Sequence, residues 1–228
     1  MTQIAPLTID TADAATAATL KAVKAKLGMV PNLFATLAHA PAALNGYLGL
    51  SETLGTGRLN ASQREIVGLA AAQANRCQYC LSAHTLIGKG AGLSAEAIAA
   101  ARTGQAANAL DDAIAGFARA LVEQRGVVSA DAMANYRRAG LDDGLILEVI
   151  ANVALNTLTN YTNHIADPTV DFPVAAHAHA EGARQSVRAA VADAVGHHRH
   201  RPPLLEQGAT DVHPPVGQIV ARRDAHRV

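Results

Sequence analysis

Residues 65–84 read EIVGLAAAQANRCQYCLSAH, a stretch that joins an alanine-rich apolar pattern to two cysteines and a histidine. Its first half carries apolar residues at the three- and four-residue spacing of one helix face. They are Ile66, Val67, Ala70 and Ala74. Small side chains on such a face allow a second helix to pack closely. The stretch therefore predicts two consecutive helices in contact, the second of which carries the cysteines.

The same helical pattern extends outward from this stretch. Apolar stripes recur at Leu20, Val23 and Leu27; at Ile114, Phe117, Leu121 and Val122; and at Leu145, Ile146, Val149, Ile150, Val153 and Leu158. Each stripe predicts one buried helix face. Helix starts are indicated by Pro41, Ser62 with Glu65 as a capping box, Ser94, Ser129 and Asp142, and helix ends by Gly28, Gly57, Gly92, Gly104, Gly126 and Gly140. We therefore expect an all-α fold of about seven to nine helices.

Composition agrees with a folded helical protein. Half of the 228 residues are hydrophobic and 17% are charged, whereas only 3% are aromatic. A core of aliphatic side chains favours helix packing and argues against an aromatic-rich β-sandwich. We expect a helical domain over residues 1–173. Residues 174–228 contain seven of the ten histidines together with two Pro-Pro pairs, so we predict a mostly disordered tail there.

The charge balance narrows the choice of partners. Lys plus Arg and Asp plus Glu both number 19, which removes the electrostatic case for binding nucleic acid or an anionic membrane surface. The opening residues have neither a basic nor an apolar run, and Glu148, Asn152 and Asn156 interrupt the longest apolar helix. We expect a cytoplasmic protein. Its several apolar stripes and mean hydropathy of +0.11 predict a homo-oligomer.

The two cysteines are too close in sequence to cross-link distant parts of the chain. On a helix that begins near Arg76, Cys77, Cys80 and His84 have the spacing of a single face. The partial positive charge of a helix N-terminus stabilises thiolates nearby. The spacing therefore predicts a reactive dithiol.

A proton relay is the second prediction from these residues. His84 lies one turn beyond Cys80, within reach of its thiol proton, and Glu65 on the preceding helix is placed to orient His84. Ordinary roles stand beside this interpretation, with Glu65 as a capping acid and His84 as a packing residue. The cysteines themselves are open to a zinc site with a further ligand, or to redox chemistry. Attachment of c-type haem is excluded because Leu81, rather than His, follows Cys80.

The spacing E-x(11)-C-x-x-C-x-x-x-H, set by Glu65, Cys77, Cys80 and His84, resembles the alkylhydroperoxidase D-like branch of the carboxymuconolactone decarboxylase superfamily. The likeness extends more loosely from Val30-Pro31-Asn32-Leu33 to Asn160–Ala166 and Asp171-Phe172-Pro173.

The resemblance implies an all-helical fold, assembly into trimers or hexamers, and thiol-dependent reduction of hydroperoxides without metal, haem or another cofactor. It implies that Cys80 is the peroxidatic thiol and Cys77 the resolving thiol, that His84 and Glu65 form the relay, and that an external dithiol is the reductant. This chain departs from some members at Tyr79, where they carry histidine.

Three alternatives remain open from the sequence. The first is a disulfide reductase or redox adaptor that uses the same cysteines, the second a lactone decarboxylase that does not need them, and the third a zinc-bound structural module. At the end of the long helix, Asn160, Tyr161 and His164 either line the same cavity or simply end the helix.

Overall fold

The computed structural model describes residues 3–176, which form nine α-helices and no strand. The helices are α1 (Ala14–Leu27), α2 (Asn32–Leu37), α3 (Pro41–Gly55), α4 (Ala61–Ala74), α5 (Gln78–Gly90), α6 (Ala95–Arg102), α7 (Ala109–Glu123), α8 (Ala130–Arg138) and α9 (Asp143–Ala166). The predicted all-α fold is confirmed. None of these nine helices combines the length and the apolar character needed to cross a lipid bilayer.

Helix α4 is the centre of the fold. It packs against α5, α6, α7 and α9, and every residue from Ile66 to Ala72 is buried. Glycine and alanine supply four of these seven positions, which lets neighbouring backbones approach from several sides. Because this middle part of α4 is surrounded, its side chains face protein rather than solvent. This places Glu65, at the edge of the buried run, in a position to meet a partner.

The start of α4 differs from the prediction. The capping box consists of Asn60 and Gln63, rather than Ser62 and Glu65. The Asn60 side chain accepts the Gln63 backbone N–H at 2.9 Å, and the Gln63 side chain accepts the Asn60 N–H at 3.1 Å. The helix therefore begins two residues earlier than expected, and Glu65 is released from any capping role. At the other predicted starts, Ser94, Ser129 and Asp142 are N-caps as expected.

Helix α9 buries only one of its two apolar faces. Leu145, Ile146, Val149 and Val153 are buried as predicted, whereas Ile150 and Leu158 are exposed, as is Leu27 at the end of α1. The prediction placed Ile150 and Leu158 on the same stripe as the buried residues of α9, but asparagines occupy part of the inward face of this helix instead. The exposed face of α9 carries Leu147, Ile150, Leu158, Tyr161 and Ile165.

Residues 167–176, which we call the strap, follow α9 and return across the start of α5. The Asn32 side chain donates to the Thr169 carbonyl at 2.9 Å, and the backbone of Ala175 bonds to Ser82 and Gln78. The described chain therefore continues three residues beyond the predicted boundary at Pro173, in contact with the helices. The boundary stays a prediction, and the remainder of the predicted tail, residues 177–228, lies outside the described residues.

Candidate active site

The two cysteines lie at the sharp turn between α4 and α5. Arg76 adopts a left-handed conformation with φ of 58°, and α5 begins at Gln78 rather than near Arg76. Cys77 is therefore the N-cap of α5, and its Sγ accepts the Cys80 backbone N–H at 3.3 Å. The prediction that Cys77 lies within the helix, on the face of Cys80, was wrong in this detail. The turn nevertheless brings the thiols together.

The Sγ atoms of Cys77 and Cys80 lie 2.7 Å apart and share a hydrogen bond, with both thiols free. That separation is longer than the bond of about 2.05 Å in a disulfide. Both residues are buried, at 2% and 3% exposed. A disulfide between them needs only a small approach of the two sulfur atoms.

Their surroundings give the two thiols different acidities. The hydrogen bond shared with Cys80 lowers the pKa of Cys77, and its position as the N-cap adds the Cys80 N–H as a second donor. Burial raises the pKa of Cys80, and the hydrogen bond and charge of Cys77 add to that effect. Cys77 is therefore the more acidic thiol of the pair.

Glu65 and His84 meet between α4 and α5. The His84 Nδ1 lies 2.8 Å from Glu65 Oε2, and the two side chains are only 18% and 14% exposed. Burial is the largest influence on the imidazole and acts to lower its pKa, but the charge and hydrogen bond of Glu65 outweigh it, so the pKa of His84 is raised. The contact places the carboxylate where it fixes the ring and leaves Nε2 for other partners.

Gly68 makes this contact possible. It lies on α4 one turn beyond Glu65, and the His84 ring packs directly against its Cα. A Cβ at position 68 would lie 2.5 Å from both Nδ1 and Cε1 of the imidazole, far inside ordinary contact distance. The local sequence shows an unremarkable helical glycine, so this role could not be predicted without the partner helix.

A cavity of about 330 Å³ opens onto Cys80 and His84. Most of its lining is apolar, and aromatic rings of Phe34, Tyr47 and Phe172 contribute to its walls. Burial raises the pKa of Tyr47 to about 12, so its hydroxyl stays neutral. The cavity suits a small apolar molecule that carries a reactive group toward the sulfur.

Tyr79, between the two cysteines, closes one side of this cavity. Its hydroxyl donates to Asp171 Oδ1 at 2.7 Å and accepts the Leu33 N–H at 3.2 Å. The other oxygen of Asp171 accepts the Asn32 N–H at 2.6 Å, and Phe172 packs edge-on against the Tyr79 ring. Tyr79 thus joins the start of α2 to the strap. Because burial raises its pKa, we assign it a structural role in place of proton transfer.

A row of buried asparagines on α9 faces the cysteines. Asn163 Nδ2 donates to Cys80 Sγ at 3.1 Å, and Asn160 accepts the Asn75 side-chain amide at 2.8 Å. The side chain of Asn156 contributes to the raised pKa of the His84 ring. Sequence reasoning read the polar positions of α9 as interruptions. The spacing of residues 156, 160 and 163, on one helical face, was the signal that the helix directs amides toward a site.

Asn160, Tyr161 and His164, the three residues suggested near the end of α9, lie in different environments. Asn160 is fully buried beside the cysteines, whereas Tyr161 is 60% exposed and points away. His164 Nε2 donates to the Asn75 carbonyl oxygen at 2.9 Å. The residue also lines a smaller cleft of about 220 Å³ with Cys77 and Asp167. The cysteines therefore line two separate cavities, with His84 on the side of Cys80.

No group of three or more His, Cys, Asp or Glu side chains within residues 3–176 has the arrangement of a metal site. The histidine-rich part of the sequence, from His177 onward, lies outside that range.

Residues 38–124 match the model of the carboxymuconolactone decarboxylase family. This segment contains Glu65, Cys77, Cys80 and His84, so the resemblance read from their spacing is confirmed. No protein with a curated description matches the chain.

Solved structures agree on the fold. An uncharacterised peroxidase-related protein from Ralstonia eutropha, described as an alkylhydroperoxidase AhpD core, is 22% identical, with a TM-score of 0.64 over 76% of this chain and 92% of the other. A second uncharacterised peroxidase-related protein, from Silicibacter sp., is 20% identical, with a TM-score of 0.63 over 76% and 93%. An alanine variant of the debrominase Bmp8, solved with 2,3,4-tribromopyrrole, is 18% identical, with a TM-score of 0.64 over 75% and 92%. At these identities the likeness concerns the fold.

Proposed function

We propose that this protein is a thiol-dependent peroxidase that reduces organic hydroperoxides with Cys80 and Cys77. The observation that carries the proposal is the apolar cavity shared by Cys80 and His84. This cavity supports a reaction in which an apolar hydroperoxide binds beside the Cys80 thiol and the base His84. The second thiol, Cys77, lies 2.7 Å from Cys80. Two comparisons support the same class of activity: the match to the carboxymuconolactone decarboxylase family and the structural likeness to a peroxidase-related protein.

In the first step, the thiolate of Cys80 attacks the distal oxygen of the hydroperoxide. The O–O bond breaks, an S–O bond forms, and the alkoxide leaves as the alcohol after it takes the proton held by His84. Sulfur is thereby oxidised to the sulfenic acid. In the second step, the Cys77 thiolate attacks the Cys80 sulfur, the S–S bond forms as the S–O bond breaks, and the leaving hydroxide takes a proton from solvent to become water. An external dithiol then supplies two electrons by thiol–disulfide exchange.

The acidities of the pair fit this order of events. Because Cys77 is the more acidic thiol, Cys80, which faces the cavity, is the harder of the two to deprotonate. Removal of the Cys80 proton needs a base, and His84, made more basic by Glu65, is the one that lines the same cavity. After Cys80 is oxidised, Cys77 is already the stronger acid and hence the ready nucleophile for disulfide formation. This division of roles supports Cys80 as the peroxidatic residue.

Mass spectrometry after one equivalent of cumene hydroperoxide tests the proposal. The reduced protein should lose about 2 Da, the mass of two hydrogens, as Cys77 and Cys80 form a disulfide. The Cys77→Ser variant should stop at a sulfenic acid on Cys80 that a dione reagent traps, whereas Cys80→Ser should consume no hydroperoxide. A sulfenic acid trapped on Cys77 at the wild-type rate in Cys80→Ser would overturn the assignment.

Reductive dehalogenation is a second candidate, favoured by the aromatic walls of the cavity. A structural neighbour is a debrominase. In this reaction a halogen passes from an aromatic ring to the Cys80 sulfur, the ring carbon takes a proton, and attack by Cys77 releases halide as the disulfide forms. Halide release from a brominated pyrrole, faster than hydroperoxide consumption under matched conditions, would favour this candidate.

Two of the alternatives left open by the sequence are separated from the peroxidase by their substrates or by the same variants. A disulfide reductase would exchange rapidly with small disulfides and react slowly with cumene hydroperoxide. A lactone decarboxylase would keep its activity in Cys80→Ser, since its chemistry does not require the cysteine pair.

A further inference from the structure

The side-chain amide of Asn163 is hydrogen-bonded to the sulfur of Cys80. Its Nδ2 donates to Cys80 Sγ at 3.1 Å, and the residue is 6% exposed. A donor at this distance becomes stronger when the sulfur is charged, because hydrogen bonds to ionised acceptors are about twice as strong as those between neutral groups. The bond therefore favours the thiolate over the thiol.

Asn160, one turn earlier on α9, holds a second amide beside the same sulfur. The side chain is fully buried, and its Oδ1 is fixed by the Asn75 amide at 2.8 Å. Its Nδ2 finds no acceptor of good geometry among the described residues, yet Asn160 acts to lower the pKa of Cys80. A buried donor without a partner costs stability and is uncommon. Here it lies next to an atom that gains negative charge during the reaction.

We propose that the side-chain amides of Asn160 and Asn163 form an anion-stabilising pocket that holds the negative charge developed at Cys80. Asn163 holds the sulfur directly, and Asn160 supplies a prepositioned donor that is satisfied only when charge appears. The inference deepens the proposed peroxidase function, since it adds two catalytic residues to the same thiol. It explains how a thiol buried among apolar side chains ionises at all, because burial alone opposes a charge there.

The pH dependence of alkylation by iodoacetamide in a Cys77→Ser background isolates Cys80 and does not depend on peroxide. Asn163→Leu removes the donor with little change in volume, and we expect the midpoint of the alkylation profile to rise by about one pH unit, with a reaction about tenfold slower at pH 7. Asn160→Asp keeps the oxygen that accepts the Asn75 amide and removes the donor, and its midpoint should rise further. Asn163→Ala is measured in parallel as a variant that avoids overpacking.

Asn152→Leu is the matched control, because Asn152 is buried on the same helix but donates to the Glu148 carbonyl. Its alkylation profile should match the Cys77→Ser parent. An unchanged midpoint in the Asn163 variants, or an equal shift in the Asn152 control, would overturn the inference.

A separate measurement of hydroperoxide consumption by the wild-type protein distinguishes the two proposals. If the wild type consumes none while the midpoints shift, the amide pocket stands and the peroxidase proposal fails. If the wild type is active and the midpoints do not shift, the amide pocket alone fails.

Discussion

Substitution of Gly68 by alanine is the most direct test of the contact between the two site helices. In a helix interior, alanine is ordinarily more stable than glycine by about 1 kcal/mol. At this position, however, the new Cβ would lie 2.5 Å from two atoms of the His84 ring. Ordinary contact between such atoms needs about 3.5 Å, so the ring must move by about 1 Å.

A movement of that size breaks the relay without removing any of its members. The bond from His84 Nδ1 to Glu65 is 2.8 Å long, and an added displacement of about 1 Å takes it beyond hydrogen-bonding range. Misplacement of a general base by about 1 Å costs up to about 100-fold in rate. We therefore expect the rate constant for Cys80 oxidation by cumene hydroperoxide to fall between 10- and 100-fold. The free energy of unfolding should fall by no more than about 2 kcal/mol, because helix propensity offsets about 1 kcal/mol of the roughly 1–3 kcal/mol that overpacking costs.

Stopped-flow oxidation measures the loss, and thermal unfolding measures the fold. Gly49→Ala is the control, because Gly49 lies inside α3 with nothing within 4 Å of an added Cβ. It should be as active as wild type. Alkylation of both cysteines at high pH, where no base is needed, should be equal in all three proteins. A folded Gly68→Ala protein that oxidises at the wild-type rate would refute the relay.

Five further outcomes follow from other parts of the structure. Glu65→Gln removes the carboxylate that raises the pKa of His84, so the acid limb of the pH–rate profile should move to lower pH. The maximal rate should fall about tenfold or more. A pH–rate profile that superimposes on that of the wild type would contradict the relay. The Glu65–His84 ion pair stabilises the fold fully below the ordinary histidine pKa of about 6.5. This stabilisation should be lost as pH rises through the raised pKa of His84 in the folded protein. Melting temperatures measured across this pH range test the expectation. Tyr79→Phe should lower the free energy of unfolding by about 1–3 kcal/mol, measured with urea, with hydroperoxide reduction unchanged. Truncation after Ala176 should preserve the melting temperature, whereas truncation three residues earlier removes the strap's bonds to α5 and should lower it. We expect self-association through the exposed face of α9, so Leu158→Lys should reduce the mass seen by light scattering, and a monomeric wild type at micromolar concentration would exclude it.

Local signals in the sequence predicted the helices well and their exact limits less well. Gly28 ends α1 in a left-handed conformation, as expected, because a C-cap glycine is determined by its own backbone. The capping box of α4 was misassigned because Asn60–Gln63 and Ser62–Glu65 fit the same local pattern. The start of α5 was misplaced because the left-handed turn at Arg76 has no glycine to signal it. Each error shifted a boundary by about two residues.

The contacts between distant segments were beyond sequence reasoning. The pairing of Glu65 with His84 followed from helix spacing, since both residues lie on consecutive helices. The bond from Tyr79 to Asp171 joins residues 92 positions apart, and no local pattern encodes it. The same holds for Gly68, whose importance depends on the ring that packs against it. Where a residue's role is set by its partner, the fold must be known first.

The asparagines of α9 show how stability and chemistry conflict at this site. Asn160 Nδ2 and Asn163 Oδ1 are buried without partners among the described residues, although unpaired polar atoms cost about 1–3 kcal/mol each. Leucine at these positions would continue the apolar face formed by Val149 and Val153 and would remove that cost. Such locally unfavourable residues concentrate at functional sites, where stability is lower than the fold allows. This loss of stability is confined to the face of α9 that contacts Cys80. A buried thiolate at Cys80 has no water to solvate it, so it needs hydrogen-bond donors from the protein at this face.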